Sequence, residues 1–191
     1  MDTTSNILNP LVWIDLELTG IRIKVTLGLD QAKDHIVEIA VIITDGTLTQ
    51  QILGPNLVIH YPDAILNNMS PWCTMTFTKN GLLTQIKESK VTLHKAQDQV
   101  LTFLKQHIPE HTAPLVGNSC YVDRSFIKRE MPLVDQYLGE DNLDISSIAQ
   151  CCKRWKPGVL LKVKKSGKHR GLDDIKDSIE ELKVYKYNLF S

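Results

Sequence analysis

The stretch "LVWIDLELTG", residues 11–20, decides how the rest of the chain is read. Leu11, Val12, Trp13 and Ile14 form the apolar run that a buried strand carries. Asp15 and Glu17 follow, separated only by Leu16. At that spacing on a regular strand both carboxylates leave the same face. The apolar flanks place the strand centrally, where an unpaired buried carboxylate is costly. A bound divalent cation removes that cost, and hard cations such as Mg²⁺ prefer carboxylate oxygens. Two acids at a solvent-facing strand end satisfy the same local pattern, so D-x-E alone leaves both readings open.

Working outward, the chain of 191 residues has the length of one domain with a proper core. Hydrophobic residues make up 42% and charged residues 23%, as in ordinary globular proteins. Lys+Arg and Asp+Glu both number 22, so no whole-chain field draws in nucleic acid or anionic lipid. A small local site remains open. No apolar run approaches the roughly 18 residues of a bilayer span, so no membrane association is expected. The opening "MDTTSNILNP" (1–10) has neither a basic region leading into an apolar one nor an arginine. It reads as a loose N-terminal segment with no targeting signal evident, and a cytoplasmic or mitochondrial location is expected. Cys73, Cys120, Cys151 and Cys152 form no C-x-x-C pair. They are expected to be free thiols in a reducing compartment rather than zinc ligands or disulfides.

The pattern predicts strands at 11–17, 35–45 and 57–62, with turns and a short strand in "DGTLTQQILGP" between the last two. "PDAILNNMSPWCTMTFTKNGLL" reads as mixed and turn-rich. Leu93, Ala96, Val100, Leu101, Leu104 and Ile108 keep one face of a helix over 92–108, with Thr92 as N-cap and Pro109 as stop. "PLVGNS" (114–119) reads as a short buried strand, "DRSFIKREM" as a helix ended by Pro132, and 143–155 as strand then helix. A basic loop over 159–170 leads to a terminal helix over 172–190 with Ile175, Ile179, Leu182 and Tyr185 on one stripe. Strands first, then helices with short strands between them, predict an α/β sheet of mixed direction in a single domain over 1–191.

Further acids join the first two. Asp123, in "GNSCYVDRSF", lies at the start of a helix, where a carboxylate also suits the helix dipole. His169 ends the basic loop, and Asp173 and Asp174 open the terminal helix. With His169 outside the helix, it can fold over a site that Asp174 approaches from below. Each piece alone is met by a capping acid or an exposed histidine.

Taken in order, "WIDLELTG", "DHIVEIAVIITD", "GPNLVIH", "MSPWC", "GNS", "VDRSF", "LDISSI" and "HRGLDD" resemble the oligoribonuclease family. This family is the histidine-bearing DEDD subclass of 3′→5′ exonucleases, on a ribonuclease H-like fold: a mixed α/β sheet flanked by helices. The resemblance runs from about Leu11 to Phe190. It implies that Asp15, Glu17, Asp123 and Asp174 hold two Mg²⁺ or Mn²⁺ ions, with Asp15 bridging them, and that His169 is the general base. Asp173 is then a helix cap. Two metals roughly 4 Å apart clamp the attacking and leaving oxygens of a phosphodiester, and the histidine has a pKa suited to taking the water's proton. The implied reaction removes nucleoside 5′-monophosphates from short RNA oligonucleotides. By the same resemblance Asn118 and Ser119 of "GNS" meet a substrate phosphate, and Trp72 packs near the terminal base. Ser146 and Ser147 reach the 5′ phosphate across a homodimer. Core packing accounts for Trp72 equally well.

Two departures stand out. The family places His-Tyr-Arg before "LDISSI"; here Gly139, Glu140 and Asp141 correspond. An acidic pair repels phosphate, and a lost stacking platform costs roughly 1–3 kcal/mol per base. A weaker preference for dinucleotides follows. Second, "IRIKVTLG" (21–28) is inserted between "TG" and "LD". Its alternation predicts a lengthened hairpin, in which Ile21 or Leu29 replaces the family's base-wedging leucine. Arg22 and Lys24 meet either phosphate or solvent, and the basic loop Lys162, Lys164, Lys165, Lys168 and Arg170 either attracts RNA backbone or is merely solvated. The alternatives are a related exonuclease for longer RNA or single-stranded DNA, or a catalytically weak RNA-binding homolog.

Overall fold

The apolar run at 11–14 becomes the middle of a sheet. In a computed structural model that describes residues 7–20 and 33–190, β1 is Leu11–Leu18 and β2 is Ile36–Thr44, the latter buried at every position. β3 (Gln51–Val58), α1 (Asp63–Leu66), α2 (Pro71–Lys79), α3 (Leu82–Glu88) and α4 (Leu93–His107) follow. The chain continues through β4 (Leu115–Gly117), α5 (Cys120–Glu130), α6 (Pro132–Tyr137) and β5 (Asn142–Asp144). It closes with α7 (Ile145–Trp155), α8 (Pro157–Leu160) and α9 (Gly171–Leu189). The expected hairpin over 21–28, with Ile21, Arg22, Lys24 and Leu29, lies outside the described residues, as does most of the N-terminal segment.

The five strands order as β3-β2-β1-β4-β5, with β1 central. β1–β2 and β2–β3 run antiparallel, β1–β4 and β4–β5 parallel. This is the mixed, helix-flanked α/β sheet that the resemblance implies. Alternation along β1 divides the core. Val12, Ile14, Leu16 and Leu18 pack with Val100 and Leu104 of α4 and Phe126 of α5. Trp13 faces the other way and packs with Ala40, Ile42 and the Ile175–Ile179–Leu182 stripe of α9. Its indole N–H donates to Thr44 Oγ1 at 3.0 Å, which keeps a buried donor satisfied. Asp15 and Glu17 continue the Trp13 face, so one row of side chains changes from indole to carboxylate as β1 ends.

Several elements match the sequence pattern. Thr92 caps α4 by accepting the Lys95 N–H at 3.2 Å, and α9 begins within a residue of its expected start. Three regions differ. The short strand expected within 45–55 and the start of the one expected at 57–62 are a single strand, Gln51–Val58: Leu53 pairs with Ile42 and Ile52 with Ile43, and after Val58 the chain turns off, with His60 N–H bonding Val91 O at 2.8 Å. Pro55 is tolerated because β3 is an edge strand. The stretch read as mixed and turn-rich folds into α1, α2 and α3. Ser70 caps α2 through the Cys73 N–H at 3.1 Å, with Pro71 in the first turn. Only Cys73 and Phe77 of α2 are buried, too thin a stripe to read as a period. Pro132, read as a stop, also starts α6.

Among the described residues no helix is long and apolar enough to cross a membrane. The four cysteines are free thiols, with Cys73, Cys120 and Cys152 buried and Cys151 half-buried.

Candidate active site

The site forms where β1 ends. Its ladder with β2 is regular to Glu17, which faces Glu38, and then shifts so that Leu18 faces Ile36. Such an irregularity re-aims side chains at a strand end. Asp174 arrives on the first turn of α9. Gly171 lets that helix start close to the sheet: a Cβ there would stand 3.0 Å from Ala40 Cβ and 3.2 Å from the Asp15 carbonyl oxygen. Asp15, Glu17 and Asp174 each then offer one oxygen, all within 4.8 Å of one another.

Asp123 sits in the first turn of α5, which packs on the opposite face of the sheet. Its Oδ1 accepts the Leu16 N–H at 3.1 Å. The four expected acids therefore meet as a tight triad with Asp123 outside it, close enough for its charge to raise Asp15.

Every one of these carboxyls is pushed upward. Burial raises Asp15 well above the usual range, and the charges of Asp123, Glu17 and Asp174 raise it further. Burial lifts Glu17 to about 8, with Glu38 and Asp174 adding to it. Burial lifts Asp123 to about 7, although the Leu16 N–H opposes the change. Burial raises Asp174 too, while His169 pulls the other way. The nearby cations are already paired: Arg170 with Glu38 at 2.8 Å and Lys168 with Asp173 at 3.0 Å. An all-oxygen donor set whose mutual repulsion Arg170 and His169 only partly offset fits a hard divalent cation.

A cleft of about 310 Å³ opens over the triad, walled by Trp72, Phe77 and His169. His169 is exposed, outside the helix, with a left-handed backbone (φ 53°). Its carbonyl accepts the Asn80 side-chain amide at 2.8 Å. Its ring meets Trp72 edge-on, centroids 5.1 Å apart. Trp72 is half-buried, so it both packs on the Phe77 cluster and lines the cleft.

The other expected contacts form a polar ridge where β4 and β5 give way to helices. Asp144 Oδ1 accepts the N–H groups of Ser119 and Ser146 at 2.9 and 2.8 Å. Ser146 Oγ donates to Asn118 Oδ1 at 3.3 Å, and Ser119 Oγ lies 3.3 Å from Ser146 Oγ. The Asn118 amide donates to Ser178 Oγ at 2.8 Å and to Glu181 at 3.1 Å. Ser147 is exposed on α7. These residues are not part of the cleft wall. In the departing segment, Gly139 N–H bonds Ala113 O at 2.8 Å, while Arg124 holds the Gly139 carbonyl at 2.7 Å. Glu140 and Asp141 face solvent.

Asp173 does not cap α9, which has no side-chain cap; it receives Lys168 instead. Sequence reasoning passed over Glu38, and it read Arg170 as a loop cation for RNA or solvent, whereas Arg170 pairs with Glu38. Glu38 is fully buried and takes Arg170 Nη2 at 2.8 Å and Nε at 3.1 Å. The signal was present: one carboxylate inside a nine-residue buried strand needs a named partner.

Residues 12–182 match the family described as exonuclease. The oligoribonuclease of Nitrosomonas europaea is 42% identical over 96% of this chain and 97% of its own length. The probable oligoribonuclease of Drosophila melanogaster is 44% identical over 100% of this chain and 87% of its own. Among solved structures, exonuclease I of Methylocaldum szegediense superposes with a TM-score of 0.68 at 14% identity. That likeness covers 95% of this chain and 41% of the larger protein, and it speaks to the fold. The curated relatives, matched nearly end to end, and the acidic cluster at the end of β1 agree: the chain belongs to the oligoribonuclease family of 3′→5′ exoribonucleases, on a ribonuclease H-like fold.

Proposed function

We propose that the chain shortens very short RNAs from their 3′ ends and releases nucleoside 5′-monophosphates. The observation that carries this reading is the triad of Asp15, Glu17 and Asp174 within 4.8 Å, raised by burial and repulsion, at the mouth of an aromatic-walled cleft. Asp15, Glu17, Asp123 and Asp174 would hold two divalent cations, Mg²⁺ or Mn²⁺. Bound there, such ions neutralise charge on the attacking and leaving oxygens of a phosphodiester. A ring nitrogen of the exposed His169 takes the proton of the attacking water, the general-base role an imidazole can fill. Trp72 offers a ring to the terminal base. Asn118, Ser119, Ser146 and Ser147 meet substrate phosphates in a homodimer, and the base-wedging role falls to Ile21 or Leu29, which lie outside the described residues. The setting is cytoplasmic or mitochondrial, with the whole of 1–191 acting as one exonuclease domain.

One observation favours a broader substrate range. Glu140 and Asp141 are exposed acids where the family has a stacking tyrosine and an arginine. We expect rates on RNAs of two, three and five nucleotides to lie close together in the presence of Mn²⁺. A strong preference for the two-nucleotide substrate would sink that expectation. Absence of hydrolysis on all three would favour an RNA-binding role.

A further inference from the structure

The basic segment before α9 is exposed, yet several of its side chains bond back to that helix. Lys162 Nζ donates to Asn188 Oδ1 at 2.6 Å, and Lys165 Nζ pairs with Glu181 at 2.7 Å. The Ser166 N–H and hydroxyl both donate to Asp177 Oδ2, at 2.5 and 2.8 Å. Lys168 pairs with Asp173 at 3.0 Å and Arg170 with Glu38 at 2.8 Å. Asp173, Asp177 and Glu181 stand four residues apart on α9, so they share one helical face. Their partners, Lys168, Ser166 and Lys165, run in the opposite order. The segment is therefore a strap laid antiparallel along an acidic stripe. At its end sits His169, in a left-handed backbone whose carbonyl is held by Asn80.

We propose that Lys165, Ser166 and Asp177 are positioning residues for His169. They tie the strap to α9 so that the imidazole stays over the cleft, and they touch no reacting atom. The two firmest ties are the ones with least freedom: Glu181 is 5% exposed, and a single Asp177 oxygen takes two donors. Glu181 also receives Asn118 and the Tyr185 hydroxyl, which fixes its carboxylate before Lys165 arrives. Lys165 and Lys168 are thus engaged with the protein's own acids, and Lys162 with an asparagine, rather than with RNA phosphates. This inference rests on His169 being the general base.

The two uses of the lysines predict opposite responses to removing an acid. With a positioning strap, Asp177→Ala lowers kcat by roughly tenfold, since small misplacements of a catalytic group cost up to about 10²-fold. KM changes by less than about twofold, and amide exchange speeds up over residues 162–168. Asp177→Asn keeps one acceptor and loses less. If the lysines served RNA, Asp177→Ala would instead lower KM by releasing the Ser166 segment that carries them, with kcat unchanged. Lys165→Met would then raise KM alone, and either pattern overturns the proposal. Melting curves exclude a folding defect as the cause. His169→Ala separates the two levels: retained activity would remove the base reading itself. Lost activity there, with full kcat in Asp177→Ala, would overturn only the strap.

Discussion

Glu17 and Glu38 face each other across the β1–β2 ladder, yet they meet opposite fates. Glu38 is fully buried and both its oxygens are taken, by Arg170 and, at 3.5 Å, by the Gly171 N–H. Among the described residues Glu17 pairs with no cation of its own, and Arg170, already engaged by Glu38, only partly offsets it. Glu17 stands with Asp15 and Asp174, and burial with repulsion lifts it to about 8. The first acid is completed by the fold; the second is left for something from outside. Placed side by side, they show that an uncompensated carboxylate marks a site more surely than a buried one does.

The sharpest break of this contrast is Asp15→Asn. If the triad holds the cations that stabilise charge in the transition state, several kcal/mol are lost. Hydrolysis of short RNA then falls by roughly 10³-fold or more. The same change removes a repelling charge, so the metal-free melting temperature should hold or rise. A large drop in melting temperature would mean that Asp15 serves the fold.

Glu38→Gln should do the reverse. Breaking a buried pair from one side costs about 3–5 kcal/mol, which lowers the melting temperature by on the order of 10 °C. Near-normal stability in Glu38→Gln would show that the Arg170 pairing is not what compensates this acid.

A third test uses pH. Folding lifts Glu17 to about 8 and Asp123 to about 7, above the unfolded values near 4. Between about pH 4 and those values the folded chain binds more protons than the unfolded one. The stability of the metal-free protein therefore falls as pH rises through that window. Thermal unfolding in chelator at about pH 5.5 and about pH 8 measures it, and added Mn²⁺ should restore stability at the higher pH. A chelated protein more stable at about pH 8 would contradict an uncompensated cluster.

The smallest effect is expected from replacing the Glu38–Arg170 pair by leucines together. Apolar replacement of a whole buried pair is often close to neutral, so stability should stay within about 1–2 kcal/mol of the parent. Catalysis should fall further, because Arg170 anchors the strap end beside His169.

Much of this was legible in the sequence, for identifiable reasons. The α9 stripe and the apolar β1 carry strong periods, and the order of the acidic motifs is specific enough to name the family before any coordinate. The helices of 63–88 were not legible because α2 buries only Cys73 and Phe77 and takes its start from a Ser-Pro cap. β3 was read as two pieces because register comes from pairing with β2 and from the Asp45 turn, not from the apolar run at 57–59. The Lys165–Glu181 and Arg170–Glu38 pairs were hidden because a basic run looks the same whether it faces RNA or its own helix. The spacing of Asp173, Asp177 and Glu181, and the lone carboxylate in buried β2, hinted at the second.

The account turns on the triad being a metal cage for cutting RNA from the 3′ end. The direct measurement is cleavage of a 5′-labelled five-nucleotide RNA with Mn²⁺, by the intact protein and by Asp15→Asn. The account predicts a ladder shortened one nucleotide at a time, with nucleoside 5′-monophosphate released, abolished by chelator and by Asp15→Asn. Undiminished cleavage in Asp15→Asn, or cleavage that persists in chelator, would contradict it.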